Sequence, residues 1–182
     1  MIVSKYLYNI FLYRYLIMFV FTDASYSTGP KMSGCGVVII DKRGDIYTFG
    51  SYTSDCKNNN IAEVWAVNQS LKFILQNKIM EKSGDKTINI MTDSKHVLKH
   101  LDDERTDDYE TKLFDEIRDM RYEHKINFFH IKGHNHDGTK LSYYNGISDA
   151  IAKEYRLLGL EKYNKYLKKL AKEKTIKIIE KN

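Results

Sequence analysis

The chain has 182 residues, 42% of them hydrophobic, with a formal net charge of +5 and a sequence pI near 9.0. Those figures argue against a disordered chain and suit one globular domain with a substantial core, its mild basic excess pointing to a polyanionic partner. The two cysteines, Cys35 and Cys56, lack CxxC or CxxH spacing, which argues against a disulfide scaffold or zinc cluster and suits a reducing, cytoplasmic setting.

Residues 1–17 are rich in Ile, Leu and Tyr, with Lys5 ahead of the apolar part as in a signal peptide. Asn9, Tyr13, Arg14 and Tyr15 interrupt them too often for a clean membrane span, and no small-residue cleavage site follows. They are set apart as an N-terminal extension with three readings, in this order: a true start at Met18, an added strand or helix, or a membrane anchor. A membrane partner is not expected.

Phe19 to Ala24 reads as a strand, followed by a polar turn from Ser25 to Lys31 that holds Pro30, the only proline. Gly34 to Asp41 and Asp45 to Ser51 flank Lys42-Arg43-Gly44 and read as an antiparallel hairpin. A helix is predicted from about Asn60 to Gln76, where Ile61, Trp65, Leu71 and Leu75 recur at helical spacing. After a turn at Ser83-Gly84-Asp85, Thr87 to Met91 reads as a strand, and Ser94 caps a short helix from Lys95 to Leu101. Tyr109 to Tyr122 reads as a helix and Ile126 to Ile131 as a strand. Lys132 to Ser142 is a polar loop, and helices are expected over Asn145 to Leu158 and Glu161 to Lys172, parted by Gly159. This order predicts an α/β fold with a mixed five-stranded sheet flanked by helices, plus an extra basic helix at the C-terminus.

Four carboxylates carry the chemistry. Asp23 and Asp93 end apolar strands, while Glu63 and Asp149 sit in helical stretches. An anion at the end of a buried strand is costly unless it is paired or bound to a cation. Four that converge make a hard-oxygen site suited to Mg2+, with Mn2+ as the alternative. A right-handed crossover through the Glu63 helix would make the Asp23 and Asp93 strands neighbours. Taken singly, each residue also has a plainer reading: Asp93-Ser94 as a helix cap, Asp149 and Glu63 as solvated helix charges.

Five segments carry a family resemblance: Phe21-Thr22-Asp23-Ala24-Ser25, Asn59-Asn60-Ile61-Ala62-Glu63, Met91-Thr92-Asp93-Ser94, Ile131-Lys132-Gly133-His134 and Asn145-Gly146-Ile147-Ser148-Asp149. In that order and at those spacings the chain resembles ribonuclease H of type 1 over roughly residues 18–158. The resemblance implies the ribonuclease H-like sheet and endonucleolytic cleavage of the RNA strand of RNA–DNA hybrids, leaving 5′-phosphate and 3′-hydroxyl ends. It implies two Mg2+ ions, with Asp23 bridging both, Glu63 and Asp93 completing one shell and Asp149 holding the other. It gives His134 a part in water activation or product departure, with His136 as its competitor. Ser25, Asn59 and Asn60 become substrate contacts, although one of the two asparagines could equally cap its helix, as could Asn145.

The chain departs from the family pattern where many members carry an arginine and a threonine that grip a DNA phosphate: Cys56 and Asn58 stand there, with Lys57 between them. The basic extension of some members is replaced by the acidic run 102–108. Residues 159–182 form a basic helical tail, read first as an amphipathic helix packing Tyr163, Leu167 and Leu170 on the body, and second as a phosphate contact. The expected partner is an RNA–DNA hybrid, with no small-molecule cofactor and a monomeric protein. The rival readings are a DNA exonuclease or strand-transfer enzyme on the same sheet, and a nonenzymatic nucleic-acid-binding module.

Overall fold

The computed structural model describes residues 17–103, 108–133 and 138–179; the side chains of Asp108 and of residues beyond 169 fall outside that description. In chain order the elements are β1 (Ile17–Ser27), β2 (Met32–Ile40), β3 (Ile46–Thr53), α1 (Asn59–Gln76), α2 (Ile79–Ser83), β4 (Thr87–Thr92), α3 (Lys95–His100), α4 (Asp108–Glu123), β5 (Lys125–His130) and α5 (Lys140–Ile179). The strands form one sheet in the order β3-β2-β1-β4-β5. The first three pair antiparallel, while β1, β4 and β5 run parallel. This is the mixed five-stranded sheet the sequence predicts.

Side chains alternate across a strand, and the two faces of this sheet bury different partners. Val20 and Ala24 of β1, with Cys35, Val37 and Ile39 of β2, join Ile61, Val64, Trp65, Leu71 and Ile74 of α1 and Leu113, Phe114 and Ile117 of α4 in the larger core. Phe21, Val38 and Met91 face the other way and pack with Leu141, Tyr144, Ile147 and Ile151 of α5. Glu116 ties α4 to α1, accepting from Asn68 Nδ2 at 2.8 Å and pairing with Lys72 at 2.7 Å. The β2–β3 turn is held by buried Asp41, whose Oδ1 accepts from the amides of Arg43 and Asp45 at 2.9 Å each. Gly44 there takes φ +88°, a conformation that favours glycine.

Most differences from the predicted boundaries are extensions by a residue or two, made where a backbone ladder outlasts the apolar pattern. Tyr26 and Ser27, expected in a turn, pair with Ser33 and Met32 and lengthen β1. The five-residue α2 lies in the stretch between the predicted helix and the predicted turn, to which no element is assigned, and meets that turn only at Ser83. The larger correction concerns α5, which runs unbroken through Gly159 for 40 residues, about 60 Å at 1.5 Å per residue. Gly159 is not a stop: a Cβ there would crowd Met32 Sδ at 2.7 Å and the Tyr52 ring at 2.8 Å, so glycine lets the helix lie close on the sheet. Beyond it, among the described residues, Lys162 Nζ lies 5.3 Å over the Tyr52 ring, while the apolar side chains of the amphipathic reading are not buried on the body. Tyr163 is 40% and Leu167 43% exposed, and residues 161–169 are all exposed; the Leu170 side chain lies outside the described residues. Among the described residues no helix is long and apolar enough to cross a membrane.

Candidate active site

Register brings the first two carboxylates together. Phe21 of β1 pairs with Met91 of β4, and Asp23 and Asp93 each lie two residues further along. They therefore sit side by side just beyond the end of the parallel β1–β4 pairing, at the carboxyl end of β4, where ligands gather in open α/β sheets. Because Phe21 and Met91 face α5, the period of two points both carboxylates to that face as well.

Each helix then adds one acid. Asn58 caps α1, its Oδ1 accepting from the Ile61 amide at 2.9 Å, and the buried Glu63 follows within the first turns. The cap is thus neither Asn59 nor Asn60; both are exposed and line the pocket. On the other face, α5 lies so near β2 that a Cβ on Gly36, the partner of Asp23, would overlap the Ser148 carbonyl; Gly34 stands likewise against Ala152 and Arg156. This close seat brings Asp149 to the pocket. Asn145, read either as a member of the same site or as the start of its helix, lies inside α5 and is 4% exposed.

Oxygens of Asp23, Glu63 and Asp93 all lie within 4.8 Å of one another. Asp149 lines the same cavity of about 550 Å3, and so do Ser25, Asn59 and Asn60. His134 lies outside the described residues, as does His136. Gly133, just before it, is placed by the Ile131 amide donating to Thr92 O at 3.0 Å, and any Cβ on Gly133 would overlap Asp93 Oδ2.

The electrostatics are those of anions forced together. Burial, then Asp93 and Asp149, push the Asp23 carboxyl up to about 7, against the pull of the Ala24 amide (2.7 Å from its Oδ1) and of Lys153. Burial, then Asp23 and Asp93, hold Glu63 well above the usual carboxylate range, and its Oε2 is buried with no hydrogen-bond partner. A buried acceptor left unpaired at the centre of repelling acids is what a cation would satisfy. Oxygen-only donors suit a hard divalent ion.

Four pocket residues were not singled out from the sequence: Tyr26, Lys95, His96 and Lys153. Lys153 Nζ donates to Asp149 Oδ2 at 2.7 Å, and the i,i+4 spacing on a predicted helix was a usable signal for it. His96 joins Glu110 at 2.6 Å, a contact between two helices that spacing alone does not reveal. Arg156 Nε donates to Ser25 Oγ at 2.9 Å.

An acidic pocket beside two parallel strands, with a helix from each face of a mixed sheet contributing an acid, could hold a divalent cation. The chain belongs to the RNase H family, whose model matches residues 16–156. Among solved structures, LC11-RNase H1 in complex with an RNA/DNA hybrid aligns with a TM-score of 0.62 at 20% identity, over 79% of this chain and 99% of that one. RNase H1 from the halophilic archaeon Halobacterium salinarum NRC-1 gives 0.59 at 19%, over 76% and 96%. The N-terminal RNase H domain of Rv2228c from Mycobacterium tuberculosis gives 0.63 at 14%, over 81% and 99%. At these identities the likeness establishes the fold. Comparison with curated proteins finds no match.

Proposed function

We propose that the protein is a ribonuclease H that cleaves the RNA strand of RNA–DNA hybrids endonucleolytically, leaving 5′-phosphate and 3′-hydroxyl ends. The observation that carries this reading is the convergence of Asp23, Glu63 and Asp93 on one point of an RNase H sheet, with Asp149 in the same cavity. The hybrid itself is suggested by the complex in which LC11-RNase H1 was solved.

The pocket fits the divalent ions the family uses: its donors are carboxylate oxygens, and one of them is buried and unpaired. Asp23, Glu63, Asp93 and Asp149 would hold two Mg2+, or Mn2+, in their place. When bound, such ions supply an activated water and charge stabilisation for the departing 3′ oxygen. The protein's own part is orientation. The Ala24 amide fixes Asp23 Oδ1, and Arg156 fixes the hydroxyl of Ser25 beside the RNA backbone. Asn59 and Asn60, freed from capping by Asn58, present amides to a minor groove, where 2′-hydroxyls mark RNA. His134 is assigned, on the resemblance, to moving a proton on the attacking water or departing product.

The protein is proposed to act in the cytoplasm, as a monomer and without sequence choice. The test is side-by-side incubation of the full chain with hybrid, duplex DNA and duplex RNA, with and without Mg2+. Mg2+-dependent loss of the RNA strand in the hybrid alone is the expected result. Cutting of duplex DNA, or an intact hybrid, would overturn the reading.

A further inference from the structure

Among the described residues, Asp149 is the acid of the four that has a cation in hydrogen-bond contact. Lys153, one turn further along α5, donates from Nζ to its Oδ2 at 2.7 Å. Both side chains line the cavity that holds the acidic cluster, yet Asp149 is outside the set of oxygens gathered within 4.8 Å. An ordinary i,i+4 pair on a helix surface would end there, contributing little. This one sits at the rim of the acidic pocket, its Lys153 side chain 53% exposed. The Asp149 side chain is 21% exposed, and its partner's charge is felt as far as Asp23, where it opposes the mutual repulsion of the acids.

We infer that Lys153 is the resident counter-cation of the pocket: it occupies Asp149, competes with divalent metal for that carboxylate, and so weakens the protein's affinity for metal. The inference rests on the reading of this pocket as a metal site and adds to it a residue that sets the occupancy. Two effects act in one direction. Metal must displace the ammonium to use Asp149 Oδ2, and the fixed positive charge repels any ion held by Asp23 and Asp93. Removing the charge therefore strengthens metal binding.

The test is Mn2+ titration of the full chain by calorimetry, with the parent, Lys153→Gln, Lys153→Arg and Asp93→Asn compared at one pH and salt. Lys153→Gln is expected to bind Mn2+ roughly three- to tenfold more tightly, from loss of one unit charge beside a divalent site. Lys153→Arg should return to the parental affinity. Without metal, Lys153→Gln should melt lower than the parent, and its rise in melting temperature on adding Mn2+ should be larger. An unchanged or weaker Mn2+ affinity in Lys153→Gln, while Asp93→Asn loses binding, would remove this inference and leave the metal site standing. Absence of binding to the parent, or parental binding by Asp93→Asn, would overturn both.

Discussion

Arg156 of α5 reaches back across 131 residues of sequence to donate from Nε to the hydroxyl of Ser25 in β1, at 2.9 Å. This bond orients the one hydroxyl assigned to the RNA backbone. Arg156→Met should raise KM for the hybrid roughly three- to tenfold, the net worth of one ordinary hydrogen bond, with kcat nearly unchanged. Ser25→Ala should act similarly, and the double variant should cost less than the sum of the two. Steady-state kinetics of the three variants check this; additive losses would separate the two residues.

Gly133 is where the chain after β5 passes the Asp93 carboxylate with no room for a side chain. Gly133→Ala must push that carboxylate or the backbone aside. A rate loss of about a hundredfold is expected, the scale of an ångström-level misplacement, with unfolding free energy lowered by only about 1–2 kcal/mol. Cleavage assays and urea unfolding measure the two effects separately.

Gly36 carries a structural load instead. A Cβ there would overlap the Ser148 carbonyl and stand 2.6 Å from the Ala152 amide nitrogen, so Gly36→Ala lifts α5 from the sheet. About 3 kcal/mol of destabilisation is expected, read as a lower urea midpoint. Activity should fall too, because the same contact seats Asp149.

Acidity gives a fourth expectation. Asp23 has its carboxyl raised from 3.8 to about 7, and Glu63 moves in the same direction, so between those values the folded protein binds more protons than the unfolded chain. Stability then falls as pH rises through this window, and is fully present below it. Metal-free protein should therefore melt higher at pH 5 than at pH 8 as far as these groups contribute, and Mg2+ should raise the melting temperature more at pH 8. Asp23→Asn should flatten the dependence. Thermal melts in chelator across this range test it.

The acidic positions and the sheet were legible because their signals are local: apolar strands ending in Asp, a helix of clear period, and five short segments in one order. Contacts made across the fold were not. Nothing near Asn58 in the sequence distinguishes it from Asn59 and Asn60, and only the chain's path into α1 selects it as the cap. Gly159 resembles a helix stop, but its role is set by Met32 and Tyr52, more than a hundred residues earlier. The exposure of Tyr163 and Leu167 escaped the periodic pattern because periodicity assigns a face to a helix without supplying anything for it to face. The pairing of Lys153 with Asp149 was within reach of spacing alone, while that of Arg156 with Ser25 was not.

The most direct measurement is the hybrid-cleavage rate of Asp23→Asn in saturating Mg2+, with circular dichroism to confirm the fold. Asp23 is the acid the resemblance assigns to both ions, and the amide keeps its shape while removing its charge. A native spectrum with a rate at least about a thousandfold lower is predicted, equivalent to roughly 4 kcal/mol of lost transition-state stabilisation. Cleavage at the parental rate would contradict the account.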